Sequence, residues 1–169
     1  VDARQELVNT DNDLTEQEAL LVDRRNKLAN VKSDFDTVYI PLKKMEPELN
    51  SLRLELINNQ QNVNSNITFF KSRKAQIESD VNFLKTFLSS RLVPGDFSQA
   101  SIILDSITND LDQIDKALTA IDNTQSEQDI IKALDLIISI IPKLDEVNQA
   151  LIDTDRDLGD AINKVKSRW

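Results

Sequence analysis

Apolar residues recur at every seventh position through the first half of the chain. They are Leu7, Leu14, Leu21, Leu28, Phe35, Leu42, Leu49, Leu56, Val63, Phe70, Ile77 and Leu84. A spacing of seven returns a side chain to nearly the same face after two turns of α-helix. We therefore expect an all-α fold, an antiparallel up-down bundle of four helices with coiled-coil-like heptad packing.

Four apolar stripes, separated by polar joints, give the expected helix positions. They lie at about 10–57, 66–91, 97–122 and 127–167 within a single elongated domain that covers residues 1–169. The joints are short, and short joints between helices favour antiparallel neighbours.

Three prolines fall inside the stripes, at Pro41, Pro47 and Pro142. A proline removes a backbone donor from a helix and crowds the preceding turn. The apolar register nevertheless continues past each one, and all three fall off the apolar line. We favour a first helix that is kinked near 40–47 over two helices joined there. If the prolines do split the long helices, the bundle contains five or six.

An asparagine-rich tract at 58–66 predicts the first turn, and Pro94 with Gly95 predicts the second. Asn66 also begins an Asn-Ile-Thr triplet that fits the N-glycosylation acceptor pattern, although an Asn/Ser-rich turn explains the same residues. At the third joint, Ser126 with Asp129 resembles a weak helix-capping pair.

Several polar residues fall where the apolar pattern expects a core side chain. They are Asn59, Asn66, Arg73, Lys74, Asp80, Asn148 and Asp155. A buried charge without a partner is costly, so we expect Arg73 or Lys74 to pair with Asp80 or Asp155. The functional alternative is that Arg73 or Lys74 holds the carboxylate of a ligand inside a partly apolar cavity.

The composition excludes most familiar catalytic sites. The chain has no histidine, no cysteine and only two glycines, which leaves no imidazole base, no thiolate and no glycine-rich phosphate loop. Asp153, Asp155 and Asp157 have the spacing that opens a calcium loop, but its glycine and later glutamate are missing, which favours a solvated helix face. We expect a protein that is not an enzyme and that has no cofactor, no metal and no catalytic residue.

Charge and hydropathy narrow the class of partner. The formal net charge of -9 argues against binding to nucleic acid, whose phosphates need a basic surface, and favours a basic partner. No stretch approaches the roughly 18 to 20 apolar residues of a membrane span, so we expect no transmembrane segment. The first residue, Val1, fits a processed secretory chain and a trimmed chain equally, and an extracellular location is favoured slightly over a cytoplasmic one.

Two groups of residues are candidate binding sites. The first either fills the core or lines a pocket for an apolar ligand, and it consists of Phe69, Phe70, Arg73, Phe83, Phe87 and Phe97. The second is an apolar seam for a protein partner or for self-association, formed by Leu7, Leu14, Leu21 and Trp169.

Three functions are compatible with these patterns. The leading hypothesis is a non-enzymatic interaction, spacer or structural module. The alternative is an extracellular carrier that binds a fatty acid or another lipid inside the bundle, which requires an internal cavity of several hundred Å3. The third is a membrane-acting helical bundle, for which the negative charge is unfavourable.

Overall fold

The computed structural model describes residues 2–58, 63–91, 97–123 and 126–167, and these residues are almost entirely helical. The helices are α1 (Ala3–Asn58), α2 (Val63–Arg91), α3 (Ser98–Asn123) and α4 (Glu127–Lys166). The described residues contain no β-strand. The predicted all-α class is confirmed.

Two of the predicted helix starts are too late. The first helix begins at Ala3 because Asp2 caps it: its Oδ1 accepts a hydrogen bond from the backbone N–H of Arg4 at 3.0 Å. The second begins at Val63, so Asn66 lies inside α2 and not in the predicted turn. Asn59, Pro94 and Gly95 lie outside the described residues.

The prolines do not split the long helices. Pro41 and Pro47 lie within α1 and Pro142 lies within α4, and all three are exposed. Water can therefore satisfy the carbonyl oxygens that each proline leaves without a backbone donor. The alternative in which the prolines break α1 or α4 is wrong.

The longest helices, α1 and α4, run in opposite directions along each other. Arg25 is bonded to Asp155 at 2.9 Å, Lys43 to Asp145 at 2.8 Å, and Arg53 to Asp135. Positions further along α1 therefore pair with positions earlier in α4, as in two antiparallel helices. The last helix also contacts α2 and α3, so it touches every other described helix.

Charged side chains also bridge α3 to α4 and α2 to α3. Lys143 of α4 lies 2.9 Å from Asp110 of α3, and Lys85 of α2 lies 2.9 Å from Asp112 of α3. These bridges surround an apolar interior, whose largest fully buried side chains are Phe35, Phe70, Leu28, Leu42, Leu49, Leu56, Ile77, Leu84, Ile107 and Leu111.

Burial divides the molecule into two regions. The body consists of residues 28–58 of α1, all of α2 and α3, and residues 127–151 of α4. The arm consists of residues 3–27 of α1 and 152–166 of α4. The body contains nearly the whole buried core, whereas Ile162 is the one buried residue among the described side chains of the arm.

Candidate functional site

The arm leaves much of its apolar surface uncovered. Leu7 is 62% exposed and Leu20 is 64% exposed, and Val8 and Val22 are also exposed. Leu14 and Leu21, which share the heptad position of Leu7, are half-buried. The predicted partner seam is therefore open at Leu7 and partly covered at its other two leucines, and Trp169 lies outside the described residues.

The outer part of the arm is acidic along α1, whereas its base carries Arg24, Arg25 and Lys27. Residues 3–23 contain six acidic side chains and one arginine. Near the end of α4, Lys166 lies 4.0 Å from Glu18 of α1. Basic side chains of α4 thus meet the acidic helix near this end of the arm.

A charged pair holds the base of the arm together. Arg25 donates from Nε and from one terminal nitrogen to the two oxygens of Asp155, at 2.9 and 3.2 Å. This hydrogen bond lowers the pKa of Asp155 and raises the pKa of Arg25. A Cβ at Gly159 would lie 3.0 Å from the guanidinium, so the glycine leaves room for it. The predicted pairing of Asp155 with Arg73 or Lys74 is wrong.

The predicted aromatic cluster does not form one pocket wall. Phe70 and Phe97 are buried, at 0% and 6% exposed, and pack in the core, whereas Phe69 and Phe83 are half-buried against it. The side chain of Phe87 lies outside what the structure describes. The cluster is therefore divided between the core and the surface.

Phe69 does line a groove between α1 and α2. The groove has a volume of about 600 Å³ and is lined by Pro47, Glu48, Ser51, Leu52, Glu55, Ser65, Asn66 and Phe69. We call it the α1–α2 groove. Its lining combines apolar, hydroxyl and carboxylate groups, so it differs from the closed apolar cavity expected of a lipid carrier.

Arg73 lies beside this groove, where Glu48 is its ionic partner. One terminal nitrogen of Arg73 donates to Glu48 at 3.0 Å, and the guanidinium carbon lies 5.2 Å from the ring centre of Phe69. Its Nε is buried and has no hydrogen-bond partner. Lys74 pairs with Glu78 at 2.6 Å.

Two further polar side chains, at positions where the apolar pattern expects a core residue, have unsatisfied hydrogen-bonding atoms. Asp80 is 4% exposed; its Oδ1 accepts a hydrogen bond from Gln76 at 2.9 Å, and its Oδ2 has no partner. Burial raises the pKa of this carboxyl, and the bond from Gln76 offsets only part of that effect. Oδ1 of Asn148 is also buried without a partner.

A polar cluster on the body joins α1 to α4, and the sequence reading missed it. Tyr39 Oη donates to Asp145 at 2.5 Å, and Lys43 donates to the other oxygen of Asp145 at 2.8 Å. Burial and the bond to Asp145 raise the pKa of Tyr39 to about 12. Tyr39 and Lys43 are four residues apart on one helix face, which is the only signal in the sequence.

The described residues contain no group of three or more potential metal ligands. Asp153 and Asp155 lie on α4, where they accept hydrogen bonds from Gln149 and Arg25. No described helix is long and apolar enough to cross a membrane. At the third joint, Ser126 precedes α4 but makes no side-chain capping bond.

Asn66 is an unfavourable site for a glycan in the folded chain. Its side chain is 7% exposed and its Nδ2, the atom to which a glycan would be attached, is buried. A sugar there would have to displace the packing between α1 and α2.

No family model, no curated protein and no solved structure matches this chain.

Proposed function

We propose that this protein is a non-enzymatic interaction and spacer module. In this proposal the body is an antiparallel up-down four-helix bundle with heptad packing, and the arm projects from it as a two-helix extension. The body sets the position of the arm, and the arm binds the partner.

The observation that carries the proposal is the exposed apolar surface of α1 in the arm. Leu7 and Leu20 are exposed on a helix whose apolar ladder is buried from Leu28 onward. Fully burying a leucine side chain contributes roughly 1.5–3 kcal/mol, so a partner that covers these residues gains substantial free energy.

The charge of residues 3–23, the outer part of α1 in the arm, indicates the chemistry of the partner. With six acidic side chains against one basic in residues 3–23, two copies of the arm that met along α1 would bring like charges together. A helix with an apolar seam and lysine or arginine beside it would instead be attracted. We therefore propose a basic amphipathic helix of another protein as the partner, in preference to self-association.

The test is the binding of a designed helical peptide to the full chain. The peptide carries leucine and isoleucine on its seam and lysine beside it, and a matched peptide carries glutamate in place of lysine. Fluorescence anisotropy should detect the lysine peptide and not the glutamate peptide.

Deleting residues 1–24 should abolish this binding while circular dichroism still shows a cooperatively folded helical body. The paired substitutions Leu7→Gln and Leu20→Gln should also weaken it. The matched control is Leu54→Gln with Ile102→Gln, since these residues are 54% and 71% exposed on the body. Unchanged binding after the deletion, or an unfolded truncated chain, would contradict the proposal.

The alternative of a carrier for an apolar ligand has one supporting observation. A second groove, of about 470 Å³, lies between α1 and α4 beside Leu28, Leu151 and Ile152. Native mass spectrometry of protein purified from its own source tests this alternative, because a retained lipid would add a defined mass.

A further inference from the structure

The α1–α2 groove is lined by both apolar and polar side chains. Its apolar lining comes from Pro47, Leu52 and Phe69, and its hydroxyls come from Ser51 and Ser65. Because the groove lies in the body, it is separate from the partner seam of the arm.

One buried donor of the groove lining has no acceptor among the described residues, and a second such donor lies on the neighbouring Arg73. Asn66, which lines the groove, is 7% exposed and its Nδ2 has no hydrogen-bond partner. Nε of Arg73 is also buried and unpartnered. These residues stand three before and four after Phe69, so they share one face of α2. Leaving a buried donor unsatisfied is costly, and the amide of Asn66 would be satisfied by an acceptor oxygen of an occupant.

The carboxylates of the groove restrict the chemical class of the occupant that supplies the acceptor oxygen. Glu48 and Glu55 both line it. Glu48 already pairs with Arg73, whereas Glu55 is exposed and forms no ion pair with any described residue. A carboxylate or phosphate ligand would be repelled by them, so the acceptor oxygen is that of a neutral carbonyl. The same carboxylates favour a cation.

We propose that the α1–α2 groove binds a lysine residue within an extended peptide segment of another protein. A backbone carbonyl of the segment accepts from Asn66, and the ammonium group pairs with Glu55. The aliphatic stem of the lysine packs on Leu52 and Pro47. Asn66 lines the groove, and rotation of its side chain brings the buried Nδ2 to the segment.

The experiment is an NMR titration of the full ¹⁵N-labelled chain. The probe is a blocked seven-residue peptide of glycine and serine with one central lysine, and the control peptide has acetyl-lysine at that position. We expect saturable shifts of the Asn66 side-chain amide with the lysine peptide, and an affinity about tenfold lower with the acetylated one. Butylamine, which has the cation and stem without carbonyls, should not move that amide signal.

Substitutions locate the site independently of the arm. Glu55→Gln should weaken binding of the lysine peptide about threefold, whereas Glu146→Gln, at an exposed glutamate of α4, should leave it unchanged. Asn66→Leu should weaken binding while raising the thermal midpoint of unfolding, because it removes an unsatisfied buried donor. A purely structural asparagine would show a lower midpoint instead.

Three results would overturn the proposal: no saturable shift with the lysine peptide, equal binding of the acetylated peptide, or equal weakening by Glu55→Gln and Glu146→Gln. Deletion of residues 1–24 should leave this titration unchanged. Failure here is thereby distinguished from failure of the partner seam on the arm.

Discussion

The body and the arm share one apolar ladder but differ in how much of it is covered. Leu28, Phe35 and Leu42 are nearly inaccessible in the body, whereas Leu7 at the same heptad position is 62% exposed in the arm. At about 1.5 Å per residue, α1 is roughly 84 Å long and α2 roughly 44 Å, so the shorter helices end before the arm. A heptad spacing thus predicts which face of a helix is apolar, and the lengths of its neighbours decide whether that face is buried.

The largest expected difference between the body and the arm is in the free energy of unfolding that is lost when an apolar side chain is truncated to alanine. Phe35 is fully buried in the body and stacks on Tyr39 with ring centres 5.2 Å apart. Phe35→Ala should lower the free energy of unfolding by about 3–5 kcal/mol. The matched truncation in the arm, Leu7→Ala, should change it by less than about 0.5 kcal/mol. Urea unfolding followed by circular dichroism measures both, and similar losses would show that the arm is as fully packed as the body.

A second prediction concerns the buried carboxyl of the body. Because burial raises the pKa of Asp80, its charged form destabilises the fold at neutral pH. Asp80→Asn should raise the free energy of unfolding by about 1.5 kcal/mol at pH 7. The gain should disappear as the pH falls through the raised pKa, since the wild-type group then becomes neutral. Asp105→Asn, at an exposed aspartate, is the control and should show no gain.

The third prediction uses the only tyrosine of the chain, so its titration reports one site. Ultraviolet absorbance should show Tyr39 ionising near pH 12, and near its ordinary value of about 10 once the chain is unfolded. The buried, neutral phenol with its bond to Asp145 therefore stabilises the fold below pH 10, and this contribution is lost as the pH rises between these two values. Tyr39→Phe should lower the free energy of unfolding by about 1 kcal/mol at pH 7. A wild-type midpoint near 10 would mean that the bond does not persist in solution.

The smallest effect is expected at the base of the arm. Arg25 lowers the pKa of Asp155, so this pair stabilises the arm above the ordinary carboxyl pKa and is lost as the pH falls through the lowered one. Asp155→Asn should speed amide hydrogen exchange in the arm at pH 7, with exchange in the body unchanged. Exchange that rises equally in both regions would show that the arm does not open separately.

The sequence predicted the helices better than it predicted the polar contacts. Heptad spacing identified each of the four described helices, because a repeated apolar face depends on local geometry alone. It missed the early start of α1, where a single Asp2 decides the boundary. It also assigned the wrong partners to Arg73 and Asp155, because pairing across helices depends on relative rotation and axial offset, which no single helix encodes. The sequence did not predict the α1–α2 groove for the same reason. It indicated only that Phe69, which lines the groove, and Arg73, which lies beside it, were candidate pocket residues.

The positions of the prolines have a mechanical consequence. Asp145 of α4 bonds to Tyr39 and Lys43 of α1, so Pro142, about one turn earlier, lies level with the segment that contains Pro41 and Pro47. Each proline interrupts the backbone hydrogen bonding of its helix, which makes both long helices most compliant at the same height. A force applied to the outer end of the arm would therefore bend α1 and α4 together near these prolines. The helical segments on either side of the prolines would remain stiff.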